Sequence, residues 1–234
     1  MRWAGTATVL AFVLAACSTP LAAAVPTPTV APPSTPSVAP PPPTTPTPKP
    51  IVLEPRTPTG EFFKGRPTAP VTMDMFGDFQ CPACGEFART IEPMFMQRYV
   101  DTGKVAFVWQ DYTWIGDESV TAAQAARCAG RQGQFWAYHD YLYGHQRGEN
   151  AGQFSRANLE AFAGVLGLDT TAFNLCMELE PDVSAIRESL NRGLARGVEV
   201  TPSFLINGDL KIGAPPMNRL AALVDSYLAR SPAH

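Results

Sequence analysis

The sequence has few histidines and cysteines, no excess of positive charge and no long apolar run. Its 234 residues include 18 Lys and Arg against 21 Asp and Glu, which gives a net charge of −3 at pH 7. A nucleic-acid-binding domain needs a basic face, so we predict no nucleic-acid partner. No apolar run reaches the roughly 20 residues that cross a bilayer, which excludes a multi-span membrane protein.

Residues that bind structural metal ions are also scarce. The histidines are His139, His145 and His234, and of the five cysteines only Cys81 and Cys84 form a C-x-x-C pair. A structural zinc site needs about four ligands with matching spacing, and there is no second C-x-x-C. The sequence therefore predicts no metal ion and no other cofactor. Since His139 lies in an aromatic stretch, we interpret it as a packed structural residue rather than a catalytic one.

The first 17 residues have the pattern of an export signal. Arg2 supplies a positive charge, and the mostly apolar stretch 4–16 would be roughly 20 Å long as a helix, too short for a bilayer core of about 30 Å. It ends in Leu14-Ala15-Ala16-Cys17, which resembles a bacterial lipobox, in which the cysteine is acylated. We predict a signal peptide over 1–17 and a lipid anchor at Cys17 on the outer face of a bacterial cell membrane. The alternative is cleavage after Ala24, giving a soluble periplasmic or secreted protein.

Residues 18–59 are predicted to be a disordered Pro/Thr-rich linker. Thirteen of the 24 prolines lie between Thr19 and Pro50, and such a tract can neither pack nor pair its backbone. Consecutive prolines favour polyproline II, which rises about 3.1 Å per residue. We interpret the linker as a spacer that holds a domain away from a membrane; a proline-rich ligand for a partner domain is the alternative.

From about Gly60 the composition is that of a globular domain long enough to bury a core. Val71–Phe76 and Lys104–Asp111 are predicted strands, and Ser203–Ile212 is a predicted hairpin that turns at Asn-Gly. Helical patterns follow the C-x-x-C pair, fill a long block before the hairpin, and close the domain. Pro93 predicts a kink in the first helix. The order predicts an α/β fold.

The motif Cys81-Pro82-Ala83-Cys84 is the most informative about function. It stands where the first strand gives way to a helix, so the helix N-terminus would favour a thiolate at Cys81. Pro82 suits the first helical position, where an N–H has no partner anyway. Two thiols one turn apart can exchange disulfides through a mixed disulfide. The alternative is an inert structural disulfide, although so short a ring constrains the chain poorly.

Several separated segments resemble one family. Residues 76–84, FGDFQCPAC, resemble the active-site segment of the DsbA-like thioredoxin-fold proteins, which are exported thiol–disulfide oxidoreductases. Residues 65–71 resemble the entry to their first core strand, 122–143 their inserted helical region, and 200–204 the segment that carries their cis-proline. The resemblance covers about residues 60–230. It implies a thioredoxin fold with an inserted helical domain at about 116–196.

The resemblance also implies roles for individual residues. Cys81 is then the nucleophile and Cys84 the resolving thiol, with Pro202 a cis-proline facing them and Thr201 binding substrate through its backbone. The alternative for Thr201-Pro202 is a proline that merely starts a strand. The implied partners are exported polypeptides with cysteines and a membrane redox partner that resets the disulfide. We expect an oxidase; an isomerase or reductase using the same site, or a redox-inactive peptide-binding module, are alternatives.

Two positions depart from the family pattern. Relatives often carry an acidic residue six positions before the first cysteine, but this chain has Met75 there. The neighbouring Asp74 would face the other side of the sheet. The Pro82-Ala83 dipeptide also lacks the histidine of the most oxidising members, which leaves the direction of electron flow open.

Cys128 and Cys176 fall on predicted helices of the insertion, where some relatives carry a structural disulfide. Of the three pairings that four cysteines allow, only this one leaves the C-x-x-C pair free. We expect a structural disulfide between them. The alternative is a pair of buried free thiols that act as small apolar residues.

Overall fold

A computed structural model describes residues 53–231, which form a mixed five-stranded sheet with helices on both faces. The strands are β1 (Phe63–Lys64), β2 (Val71–Gly77), β3 (Val105–Asp111), β4 (Ser203–Ile206) and β5 (Asp209–Ile212). The helices are α1 (Pro82–Thr90), α2 (Glu92–Phe95), α3 (Asp117–Gly130), α4 (Phe135–Gly144), α5 (Arg156–Val165), α6 (Thr170–Leu179), α7 (Val183–Ala195) and α8 (Met217–Arg230). The strand order is β1-β3-β2-β4-β5.

The register of the central strands decides which loops meet. Strand β2 is parallel to β3, and its last residue Gly77 lies opposite Asp111. It is antiparallel to β4, so Phe76 lies opposite Ser203. The loop that leaves β2 and the loop that enters β4 therefore lie at the same edge of the sheet. The first contains Cys81 and the second contains Pro202.

Helices α3 to α7 form an insertion between β3 and β4. A buried ion pair ties the insertion to the sheet, because Arg127 of α3 donates to Asp111 at the end of β3 over 2.6 Å. The indole Nε1 of Trp109 donates to the same carboxylate over 2.7 Å. Removing either charge would leave the other buried without its opposite charge, which costs about 3–5 kcal/mol.

The helix after the C-x-x-C pair is broken near the predicted kink. Helix α1 ends at Thr90, α2 begins at Glu92, and a π-helical segment follows over Met96–Val100. Pro93 occupies the first turn of α2, where its missing N–H leaves no hydrogen bond unmade. Among the residues that the structure describes, no helix has the length and hydropathy needed to span a bilayer.

The folded part begins earlier than the predicted boundary at Gly60. The Glu54 carboxylate accepts hydrogen bonds from the backbone N–H groups of Phe135 and Trp136, the first over 2.6 Å. Arg56 forms an isolated bridge with Phe62. These tertiary contacts hold the end of the predicted linker. A Pro/Thr-rich sequence has no periodic pattern from which they could have been predicted. The predicted signal peptide, Cys17 and the linker up to residue 52 lie outside the described residues.

Candidate active site

Cys81 occupies the N-cap of α1, and its thiol forms hydrogen bonds with α1 and with the chain before β4. Its Sγ accepts the backbone N–H of Cys84 over 3.3 Å, and the thiol donates to the carbonyl oxygen of Thr201 over 3.3 Å. The Cys84 thiol, the Thr201 hydroxyl and the N–H groups of Cys84 and Ala83 stabilise the thiolate. Although burial opposes them, they lower the pKa of Cys81 to about 6. A thiol with this pKa is mostly ionised at neutral pH.

Cys84 lies one turn further along α1 and is fully buried. Burial, with smaller contributions from the hydrogen bond to Cys81 and from its charge, raises the pKa of Cys84 well above its ordinary value. Both thiols are free, so the structure shows the dithiol form. The pair can therefore hold one thiolate and one thiol at neutral pH.

The Thr201–Pro202 peptide bond is cis, and both residues are buried beside Cys81. The Thr201 hydroxyl accepts the indole N–H of Trp114 over 3.0 Å. Trp114 itself is half exposed, at 50%. The Cys81 thiol is thus bordered by the chain before β4, and the half-exposed Trp114 ring adjoins that chain at Thr201.

The backbone around Cys81 is held by two side chains that come from different parts of the chain. Asp78 is buried, and its carboxylate accepts the backbone N–H groups of Gln80, Trp114 and Ile115 over 2.8–3.3 Å. The Gln146 amide, just after α4, donates to the carbonyl oxygens of Phe79 and Cys81 over 2.7 and 3.0 Å. These bonds fix the loop whose end presents the thiol.

A family profile and similar known proteins agree on the family of this chain. The profile of the family described as Thioredoxin matches residues 57–226. A protein described as "Probable disulfide bond formation protein D" from Bacillus anthracis is 27% identical over 170 residues, which cover 71% of this chain and 77% of the relative. The oxidised crystal structure of BdbD from Bacillus subtilis, 21% identical, superposes with a TM-score of 0.68 over 76% of this chain and 98% of that one.

The chain belongs to the DsbA-like thioredoxin-fold family. The predicted fold class, a thioredoxin fold with an inserted helical domain, is thereby confirmed. A "Na(+)/H(+) antiporter NhaA 1" from Salinispora arenicola is 32% identical over 180 residues, or 76% of this chain. The chain spans only about a quarter, 26%, of that relative's length.

For a DsbA-like protein, the position of Met75 matters for how Cys84 loses its proton. Met75 is buried in the same core cluster as Cys81 and Cys84. Asp74 instead accepts a hydrogen bond from the Gln110 amide over 2.9 Å, and burial raises the pKa of this carboxyl. Met75 has no carboxylate, and the carboxylate of Asp74 is bonded to Gln110, so neither residue acts as a general base for Cys84.

The remaining cysteines of this DsbA-like chain lie far from the site in sequence. Cys128 of α3 and Cys176 of α6 are joined by a disulfide with 5.8 Å between their Cα atoms. His139, which we interpreted as a packed residue, has no exposed surface and its ring stands edge-on against those of Trp109 and Tyr143.

Asp78, Trp114 and Gln146 were not singled out by the sequence analysis. Asp78 carried a usable signal, because an Asp in the loop before a helix commonly accepts nearby backbone N–H groups. Trp114 and Gln146 carried no sequence signal, because each reaches the site only through the tertiary fold.

Proposed function

We propose that this chain is an extracytoplasmic thiol–disulfide oxidoreductase that introduces disulfide bonds into exported polypeptides. The observation that supports this most is the opposite displacement of the two thiol pKa values, to about 6 for Cys81 and well above the ordinary value for Cys84. Structural disulfides need no such difference. A redox pair does, because one sulfur must act as nucleophile or leaving group while the other stays protected.

The low pKa of Cys81 favours the oxidising direction. Donors that stabilise the Cys81 thiolate stabilise the dithiol form of the protein, which makes the disulfide form a better oxidant. Reported pKa values for the reactive thiol are about 7 in thioredoxin and about 3.5 in DsbA. A value between these limits favours an oxidant of intermediate strength.

In the proposed reaction, a substrate thiolate attacks Sγ of Cys81 in the Cys81–Cys84 disulfide. The new bond joins Cys81 to the substrate, and Cys84 leaves as a thiolate that takes up a proton. A second substrate thiolate then attacks the substrate sulfur of this mixed disulfide, and Cys81 leaves as the stable thiolate. The substrate has lost two electrons and two protons, and the enzyme has gained two electrons. A membrane redox partner that accepts these electrons would restore the disulfide.

Thr201 and Pro202 would hold the substrate beside the sulfur. The Thr201 carbonyl oxygen lies 3.3 Å from the Cys81 sulfur, and the half-exposed ring of Trp114 donates to the Thr201 hydroxyl. A peptide lying along this backbone would bring its own cysteine to Cys81.

We further propose that Cys17 is acylated and that the linker spaces the domain from the membrane. The sequence Leu14-Ala15-Ala16-Cys17 and the Pro/Thr-rich tract support this proposal. In a bacterial expression host, wild-type protein should partition into the detergent phase of a membrane extract, and Cys17→Ser should move to the aqueous phase. Equal partitioning of both would contradict acylation.

The experiment that tests the activity is a redox titration of the full chain against glutathione. We expect a midpoint between those of thioredoxin and DsbA, about −270 and −120 mV. Oxidation of a reduced substrate should disappear in Cys81→Ser, and Cys84→Ser should accumulate mixed disulfides that a reductant releases. A midpoint at or below that of thioredoxin would favour a reductase. Peptide binding that is unchanged in Cys81→Ser, without any covalent adduct in Cys84→Ser, would favour a binding module.

A further inference from the structure

The C-terminal end of α4 is tied to the active-site helix α1. Helix α4 ends at Gly144, and the carbonyl groups of a last helical turn have no partner inside the helix. Nδ1 of His145 donates to the carbonyl oxygen of Tyr141 over 2.8 Å. The Arg89 guanidinium, from the last turn of α1, donates to the carbonyl oxygen of Tyr143 over 2.6 Å. A cation at a helix C-terminus also interacts favourably with the helix dipole, so these bonds fix where the chain leaves α4.

Gln146 follows directly, and its side chain reaches back to the loop that carries the reactive thiol. Its Nε2 donates to the carbonyl oxygens of Phe79 and Cys81 over 2.7 and 3.0 Å, which uses both of its hydrogens. Its Oε1 accepts a hydrogen bond from Arg89 over 3.3 Å. A carboxylate in this place would turn a negative charge toward two carbonyl oxygens, so the position requires an amide.

A glycine in α1 provides the space for this side chain. A Cβ atom at Gly85 would lie 2.0 Å from Oε1 of Gln146 and 2.7 Å from Nη1 of Arg89, which is too close for non-bonded atoms. Gly85 lies inside the helix without a positive φ, and a glycine there costs about 1 kcal/mol relative to alanine. The space that Gln146 needs therefore explains this glycine, whereas the backbone conformation does not.

The Cys81 carbonyl group that Gln146 holds belongs to the N-cap of α1. It also accepts the backbone N–H of Gly85 over 3.1 Å, the first hydrogen bond of the helix. The direction of this carbonyl group fixes ψ of Cys81, which is 118°. That angle sets where the N–H of Cys84 points, and this N–H donates to the Cys81 sulfur over 3.3 Å. Among the described residues, no other side chain is hydrogen-bonded to the backbone of Cys81.

We propose that Gln146 is a positioning residue for Cys81, given its space by Gly85 and oriented by Arg89. Gln146 contacts no reacting atom and acts through the backbone that aims α1 at the sulfur. Because that sulfur is the nucleophile of the proposed thiol–disulfide exchange, this role rests on the proposed function. It makes the helical insertion, through the end of α4, a determinant of the reactivity of a cysteine outside it.

The alternative role for Gln146 is stabilisation of the fold alone, and Gln132 supplies a matched control for it. The Gln132 amide also bridges backbone groups, because its Nε2 donates to the carbonyl oxygen of Asp169 over 3.1 Å and its Oε1 accepts the N–H of the same residue over 2.9 Å. Asp169 is the N-cap of α6 and has no contact with the active-site loop among these bonds. Loss of the Gln132 amide should therefore lower the Tm and leave Cys81 unchanged.

The test measures the Cys81 pKa by thiolate absorbance in the full chain, with only the Cys81–Cys84 pair reduced. Gln146→Leu should raise this pKa by about one unit, and Gln146→Glu by more, since its charge also opposes the thiolate. A rise from about 6 to about 7 should disfavour the dithiol form roughly fivefold in the glutathione titration at pH 7. Gln132→Leu should keep the pKa and the midpoint potential of wild type.

Gly85→Ala displaces Gln146 without altering it. The atoms nearest to the added Cβ belong to the flexible side chains of Gln146 and Arg89, so α1 should stay folded and the Cys81 pKa should rise as it does in Gln146→Leu. The double variant Gly85→Ala/Gln146→Leu should shift the pKa no further than Gln146→Leu does, because both changes remove the same contact.

The proposal is overturned if Gln146→Leu and Gln146→Glu lower the Tm, as Gln132→Leu does, but keep the Cys81 pKa and midpoint potential of wild type. It is also overturned if Gly85→Ala titrates as wild type does while Gln146→Leu is shifted by an amount that Gln132→Leu equals. A wild type that does not exchange with glutathione would contradict the proposed function instead, and the thiolate titration would still decide the role of Gln146.

Discussion

The two cysteine pairs of this chain place the same functional group in opposite surroundings. Cys81 and Cys84 lie three residues apart across the first turn of α1, where backbone N–H groups and the Thr201 hydroxyl point at the outer sulfur. Cys128 and Cys176 lie 48 residues apart and join α3 to α6. The first pair closes a ring too small to restrict the chain, and the second spans a large part of the insertion.

This difference separates reactivity from stabilisation. The reactivity of a cysteine depends on the groups that stabilise its thiolate, and these gather at a helix N-terminus. The stabilisation given by a disulfide depends on the length of chain that it closes. Removing the first pair should therefore abolish the chemistry, whereas removing the second should lower the stability and leave the chemistry unchanged.

The largest expected effect follows from removing the long-range pair. The double variant Cys128→Ala/Cys176→Ala should lower the free energy of unfolding by about 4 kcal/mol, because the disulfide closes a loop of roughly 49 residues. Its Cys81–Cys84 midpoint potential should equal that of wild type. Denaturant unfolding and the glutathione titration measure the two quantities. A shifted midpoint potential would show that the two pairs are coupled and would contradict the separation of their roles.

The second-largest expected effect is a pH dependence of the free energy of unfolding, and it comes from Cys81 and Cys84 alone. The pKa of Cys81 is about 6 when folded and about 8.5 when unfolded, so the unfolded dithiol binds more protons between these values. The stability of the dithiol protein should therefore rise with pH across this window, on the order of 3 kcal/mol in total, and be lost as pH falls through 6. Above about 8.5 the raised pKa of Cys84 acts in the opposite sense, and stability should fall.

Unfolding of the dithiol protein at several pH values checks this expectation. A mild reductant that leaves Cys128–Cys176 oxidised should be used. The matched control is Cys81→Ser/Cys84→Ser, which removes both titrating thiols and keeps the other pair. An equal pH slope in the control would mean that the slope comes from groups other than these two thiols.

The sequence predicted those parts of the molecule that depend on neighbouring residues. The strand before Cys81, the helix after it and the hairpin at Asn207-Gly208 each carry a local pattern, and the structure contains each of them. The break after Thr90 follows from Pro93 in the same way. The family resemblance supplied the rest of the topology, including the position of the insertion.

The parts that sequence reasoning missed depend on contacts between distant residues. Gln146 reaches the carbonyl oxygen of Cys81 from 65 positions away, and Glu54 holds the start of α4 from within a tract assigned to the linker. A single Gln or Glu in a polar segment has no pattern that distinguishes it from its neighbours. Only the folded chain shows which backbone groups it satisfies.

The smallest expected effect tests one donor at the reactive sulfur. Thr201→Val keeps the shape of the side chain and removes the hydroxyl that hydrogen-bonds Cys81, so the pKa of Cys81 should rise by roughly one unit, about 1.4 kcal/mol. Thiolate absorbance against pH measures it. Trp114→Phe removes the indole N–H that orients this hydroxyl and should give a smaller shift in the same direction. If Thr201→Val leaves the pKa unchanged, the Cys84 thiol and the backbone of α1 are sufficient, and the difference between the two cysteine pairs is set by the helix N-terminus alone.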